Sequence, residues 1–138
     1  MSVFVDTGVF VAFHNTRDAN HTRALDLVRE IVDEGLGTPY TSDYIFDEAV
    51  TVALVRTGRP EIALTVGGMI LGEFTAPFLV VLRVDGEAFK EAWRLFPNFA
   101  ERGLSFTDCT SIALMRARGV EKIVSFDKDF DGIVPRIS

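Results

Sequence analysis

Four carboxylates are distinguished by where they fall: Asp6, Glu48, Asp108 and Asp127. Asp6 follows the apolar run Ser2-Val3-Phe4-Val5, and Asp127 follows Ile123-Val124-Ser125-Phe126, so each stands at the carboxyl end of an expected strand. Glu48 is in helical register with Ile45, Val52 and Val55, and Asp108 with Leu104, Ile112 and Met115. Those offsets put both acids on the apolar side of a helix, facing the body of the protein.

An inward carboxylate without a partner is costly, and it calls for a cation, a proton or a metal ion. Arg56 and Arg116 each lie eight residues beyond one of these acids, more than two helical turns away. Buried salt bridges would therefore need two separate long-range partners. Taken singly, Asp6 has an alternative as a helix cap and Asp127 as a turn residue. One shared metal site accounts for all four acids together, because open parallel α/β sheets bind ligands beyond the carboxyl ends of their strands. Hard oxygen donors suit Mg²⁺ or Mn²⁺, and with no His or Cys beside them zinc is disfavoured. Such a cluster, once charged with metal, can hold a phosphodiester that the acids alone would repel.

The elements that must position these acids alternate along the chain. Strand-like segments are expected at Ser2 to Val5, Thr38 to Thr41, Phe78 to Val84, Lys122 to Phe126 and Ile133 to Ile137. Helices are expected from about Thr7 to Phe13, His21 to Glu34, Ser42 or Asp43 to Arg56, Glu61 to Ile70 and Gly86 to Phe96. A last helix is capped by Ser105 or Thr107 and ends at Gly119. Strands separated by helices predict a single α/β domain over residues 1–138, a three-layer α/β/α sandwich on a mainly parallel central sheet. Phe89, Trp93 and Phe96 recur at helical spacing, which favours core packing over a base-stacking platform.

Bulk properties narrow the function. The net charge of −6 disfavours a module that holds nucleic acid by a broad basic surface. It weighs less against a nuclease, since clustered acids neutralised by metal supply much of the excess. Of the 14 basic residues, 11 are arginine, whose planar fork suits phosphate oxygens. The N-terminus has no basic opening or small-residue cleavage site, and no apolar run approaches a membrane span, so a cytoplasmic protein is expected. Cys109, the single cysteine, reads as a small core residue, and His14 and His21 as surface residues beside a polar loop. A phosphatase using an aspartyl nucleophile would need a second acid two residues on, which Val5-Asp6-Thr7-Gly8-Val9 lacks.

In four segments the sequence resembles the PIN-domain ribonucleases, and among them the VapC toxins of prokaryotic toxin–antitoxin pairs. These are Val3-Phe4-Val5-Asp6-Thr7-Gly8, Asp47-Glu48-Ala49, Leu104-Ser105-Phe106-Thr107-Asp108-Cys109, and Ile123-Val124-Ser125-Phe126-Asp127-Lys128-Asp129-Phe130. Each is weak alone; their order and spacing are specific, although Gly58 to Phe99 carries no diagnostic motif. The resemblance implies that Asp6, Glu48, Asp108 and Asp127 hold Mg²⁺ or Mn²⁺, with Asp129 a competitor for the fourth place and Thr7 and Ser125 as supporting hydroxyls. It implies a metal-dependent endoribonuclease leaving a 5′-phosphate and a 3′-hydroxyl, an RNA substrate, an antitoxin partner and a homodimer. Arg17 and Arg23 are candidates to hold the RNA backbone, and the helices His21 to Glu34 and Asp43 to Arg56 to form a groove for an antitoxin helix. The competing readings are a PIN nuclease of RNA processing with no antitoxin, and an inert PIN-like binding module.

Overall fold

Val3, Phe4 and Val5 are each exposed by no more than 1%, as expected of a strand covered on both faces. In the computed structural model, which describes residues 1–138, they form β1 (Ser2–Val5) at the centre of a five-stranded sheet. Two helices, α1 (Thr7–His14) and α2 (His21–Val32), lead to β2 (Thr38–Ser42). Then follow α3 (Asp43–Thr57), α4 (Pro60–Leu71), β3 (Val80–Leu82), α5 (Gly86–Ala100), α6 (Phe106–Arg118), β4 (Lys122–Val124) and β5 (Arg136–Ile137). The strand order is β3-β2-β1-β4-β5 with every neighbouring pair parallel. Helices α1 to α4 pack together as one group and α5 packs on α6, giving the expected three layers.

This order fixes where a ligand can sit. From β1 the chain winds outward through β2 to β3, then returns to lay β4 on the other side of β1. The carboxyl end of β1 is therefore a topological switch point, where a crevice opens between diverging connections. Asp6 stands there, its amide donating to the Val124 carbonyl at 3.0 Å.

The helix ends are set by local chemistry. Ser42 caps α3 by accepting from the Ile45 amide at 3.1 Å, and Gly58, at φ 67°, ends it in the left-handed conformation that glycine adopts without strain. Ser105 and Asp108 form a reciprocal capping box on α6, satisfying two backbone amides that the first turn would leave unpaired.

Several boundaries differ from expectation for identifiable reasons. β3 is shorter than Phe78 to Val84, and the Val84 amide is bound by the Asp43 carboxylate at 3.0 Å instead of a ladder partner. β5 is confined to Arg136–Ile137 because the Ile133 and Val134 amides both turn back onto the Phe130 carbonyl. α5 runs through Pro97 to Ala100, past the expected end at Phe96. His14 and His21 are half-buried, not surface residues, and each ring engages a backbone carbonyl, of Phe10 and Ala12 respectively. Burial also lowers the His14 pKa from its usual 6.5. Cys109 is fully buried, as expected.

The aromatic stripe on α5 is the main correction. Trp93 is 63% exposed and Phe89 48%, so neither is core. The inward side of α5 is occupied by Ala88, Ala92 and Leu95, and the aromatic stripe lies to one side of them.

Candidate active site

The four acids singled out in the sequence line one cleft of about 420 Å³ at the carboxyl end of the sheet. β1 delivers Asp6; α3 delivers Glu48; the first turn of α6 delivers Asp108; and the segment after β4 delivers Asp127. A chain separation of more than a hundred residues between Asp6 and Asp108 is bridged because β1 ends and α6 begins at the same end of the sheet, the carboxyl end of the central strand.

Each carboxylate is held by one bond from its own support. The Ser125 hydroxyl donates to Asp6 Oδ2 at 2.6 Å, and the Thr7 hydroxyl to Glu48 Oε1 at 2.6 Å. The Ser105 amide donates to Asp108 Oδ2 and the Asp129 amide to Asp127 Oδ1, both at 2.9 Å. Oε2 of Glu48 and the second oxygens of Asp108 and Asp127 carry no such bond, and no polar side-chain atom is sealed from solvent without a partner. The oxygens left over therefore open onto the cleft. As placed, no three acids converge as closely as the ligands of a filled cation site; each is poised on its own support.

None of the four acids forms a salt bridge, so the buried ion pairs weighed from sequence are not formed. The cleft's one arginine, Arg56, stands 3.8 Å from Asp18, which also lines it. The electrostatic result is strain on the negative charge. Burial pushes Asp6 up to about 7, reinforced by Asp108 and Glu48 and opposed by the Ser125 hydroxyl. Burial likewise raises Asp108 to about 6, with Glu48 and Asp127 adding to it and Ser105 opposing. The mutual repulsion of acids from four chain segments is itself a sign that they share one space.

Asp129, the competitor to Asp127, does not line the cleft; its carboxylate lies against Gly103, where an added Cβ would approach Oδ2 to 2.8 Å. Val55, taken as part of the inward stripe of Glu48, is 77% exposed, and Glu48 itself is half-buried at the cleft wall. Arg17 and Arg23 do not line the cleft; the Arg23 guanidinium donates to the carbonyl of Ser138. The residues that sequence reasoning missed there are Arg56, Asp18 and Asn20. Arg56 was legible as the i+8 continuation of the Glu48–Val52 stripe, whereas Asp18 and Asn20 lie in an irregular loop that no periodicity places.

A second cleft, of about 650 Å³, is apolar and lies between α1, α2 and α4. Phe13, Val28, Val32, Met69 and Phe74 line it. The groove expected between α2 and α3 is thus built with α4 in place of α3, whose core-facing residues pack onto α4 instead.

The chain is similar to known proteins over nearly its whole length. Over 128 residues the chain is 29% identical to the 23S rRNA-specific endonuclease VapC20 of Mycobacterium tuberculosis, covering 93% of this chain and 91% of that protein. The crystal structure of that toxin superposes with a TM-score of 0.79 over 93% of this chain and 92% of its own. A VapC ribonuclease of Archaeoglobus fulgidus is 24% identical over 131 residues, covering 94% of this chain and 80% of that one. The VapBC2 structure from Rickettsia felis, at 14% identity and a TM-score of 0.67, shares the fold across 99% of this chain and 98% of its own. The PIN domain model matches residues 3–134, a span that contains all four cleft acids, and the chain belongs to the PIN domain family.

Proposed function

We propose that this protein is a metal-dependent endoribonuclease that hydrolyses RNA phosphodiesters and serves as the toxin of a toxin–antitoxin pair. The observation that carries the reading is the gathering of Asp6, Glu48, Asp108 and Asp127 in one cleft with no cationic side chain paired to any of them. The kinship with proteins named VapC endonuclease and VapC ribonuclease supports the same chemistry.

The donor set fits a hard divalent ion: all-oxygen, anionic, lining one cleft and electrostatically frustrated without a cation. Asp6, Glu48, Asp108 and Asp127 would hold Mg²⁺ or Mn²⁺. When bound, such an ion neutralises a phosphate oxygen, acidifies a water and stabilises charge on the leaving oxygen. Ser125 and Thr7 fix the carboxylates of Asp6 and Glu48 in place through their 2.6 Å hydrogen bonds. Asp127, half-buried where Asp6 and Asp108 are buried, is the acid we assign to orienting an attacking water, with Asp108 the alternative. Arg56 supplies a positive charge at the rim, where the RNA backbone would pass.

The apolar groove between α1, α2 and α4 has the character of a seat for an amphipathic helix, and an antitoxin segment is the occupant we assign to it. Family membership makes a homodimer the expected assembly. No helix is long and apolar enough to cross a membrane.

The decisive experiment incubates the purified protein with mixed cellular RNA, with and without Mn²⁺, beside Asp6→Asn. We expect internal cleavage that requires the metal and disappears in the variant, with 5′-phosphate and 3′-hydroxyl ends. Cleavage that persists in chelator, or is undiminished in Asp6→Asn, overturns the reading.

A further inference from the structure

The turn that carries Asp127 is held from both sides by one arginine. Arg136 stands on β5, beside Ile123 of β4, with its side chain only 13% exposed. Its Nη1 donates to the Ser125 carbonyl at 3.0 Å. Its Nε and Nη2 donate to the two carboxylate oxygens of Asp131, at 2.8 and 3.3 Å. Ser125 precedes Asp127 and Asp131 follows it, so a single guanidinium clamps the loop upstream and downstream of the acid. Arg102 adds a tether from outside, donating to the Asp131 carbonyl at 2.6 Å. β4 ends at Val124, and the Ile137 carbonyl takes the Ser125 amide. The Ser125 carbonyl, left over by the ladder, is the one that Arg136 binds.

We propose that Arg136 is a positioning residue for the metal-dependent reaction: by clamping Ser125 and Asp131 it fixes the direction in which Asp127 meets the cation. The inference rests on the nuclease reading and adds to it a residue that does not line the cleft. Ser125 transmits the restraint, since its hydroxyl donates to Asp6 and accepts from the Asp127 amide. The charge of Asp127 also reaches the guanidinium: Asp131 raises the Arg136 pKa above its ordinary value, and Asp127 adds to the rise. Such a clamp needs the planar fork of arginine, which serves a carboxylate and a carbonyl at once with donors in fixed directions. An ion pair with one exposed partner contributes little stability by itself. Its consequence here is geometric, and groups that orient a metal ligand from behind change metal affinity or activity by about 10- to 100-fold.

Two variants separate positioning from general support of the fold. Arg136→Gln removes the clamp, whereas Asp131→Asn, at a side chain 56% exposed, loosens only its downstream arm and carries the test if Arg136→Gln does not fold. Mn²⁺ binding is read first without RNA, from the paramagnetic resonance signal of the free ion. We expect affinity to fall about tenfold in Arg136→Gln and by less in Asp131→Asn. With RNA, kcat should fall in the same order while KM for RNA holds, and Arg136→Lys should recover only part of the loss. In the metal-free protein, the Asp127 and Asp129 amides should exchange with solvent roughly tenfold faster in Asp131→Asn. The Asp6 amide, bonded to Val124 within the sheet, should keep its wild-type rate. Unchanged Mn²⁺ affinity and kcat in Asp131→Asn, or full recovery in Arg136→Lys, overturns the proposal and leaves Arg136 as a fastener of β5. If the wild type cuts no RNA with any metal, the nuclease reading fails separately, and the exchange rates still judge whether the clamp holds the Asp127 turn.

Discussion

The Ser125 hydroxyl donates to Asp6 Oδ2 at 2.6 Å, joining residues 119 positions apart in the chain. Ser125 Oγ in turn accepts from the Asp127 amide at 3.0 Å, so one buried side chain orients two of the four cleft acids. This is possible because β1 and β4 are adjacent and in register, Val5 beside Val124. The precision of the site is thus inherited from the centre of the sheet.

Removing that hydroxyl tests the dependence. Ser125→Ala takes away the contact that holds the Asp6 pKa down and leaves the Asp127 amide without its acceptor. We expect a stability loss of about 1–2 kcal/mol, weaker metal binding, and an acidic limb of the pH–rate profile displaced to higher pH. Ser125→Thr, which keeps the hydroxyl, should displace it less. An unmoved limb in Ser125→Ala would show that Asp6 is tuned by burial alone.

The raised acids also predict how the metal-free protein responds to pH. A free aspartate ionises near 3.8, whereas Asp6 and Asp108 hold their protons to about 7 and about 6 in the fold. The folded state therefore binds these protons more tightly than the unfolded chain. Their contribution to stability is complete below about pH 4 and is lost as pH rises, through about 6 for Asp108 and about 7 for Asp6. For Asp6, whose carboxylate is buried, the loss is up to about 4 kcal/mol at 1.36 kcal/mol per pH unit. In chelator, Asp6→Asn should flatten this slope and exceed the wild type in stability at pH 7.5, as read by urea denaturation. Adding Mn²⁺ should reverse the order, because only the wild type gains by binding. Equal slopes for the two proteins would refute the account.

How much of this was legible in the sequence depended on which physical signal each residue carried. Asp6 and Asp127 were marked by the ends of apolar runs, and Asp108 by a stripe whose other members, Leu104, Ile112 and Met115, are all buried. Their meeting in one cleft followed from strand–helix alternation, which leaves few ways to wind a parallel sheet. The α5 rings misled because periodicity reports that residues share a face, not which face is covered; Ala92 and Leu95, less conspicuous, occupy the inward side. Asp127 and Asp129 could not be separated, since both belong to one short turn whose hydrogen bonding, not its pattern, decides their directions.

That turn yields a paired prediction. Asp127 lines the cleft while Asp129 lies against Gly103, so Asp127→Asn should reduce kcat by a hundredfold or more, on the order of the loss when one electrostatic contact to a transition state is removed. Asp129→Asn should stay within a fewfold of the wild type. The reverse ranking in a metal-supplemented cleavage assay would exchange the two assignments.

The apolar groove can be altered without touching the acids. Gly68 lies on α4, where an added Cβ would overlap the ring of Phe74, a residue that lines the groove. Phe74 is 65% exposed, so its ring can swing away at small cost. Alanine is also the better helix former by about 1 kcal/mol, which offsets that cost. Gly68→Ala should therefore leave thermal stability and metal-dependent cleavage close to wild type while displacing a wall of the groove. A co-expressed antitoxin should bind this variant about tenfold more weakly and inhibit it less, measured by titrating cleavage with antitoxin. Full inhibition at wild-type affinity would remove the groove between α1, α2 and α4 as the antitoxin seat and leave the nuclease assignment standing.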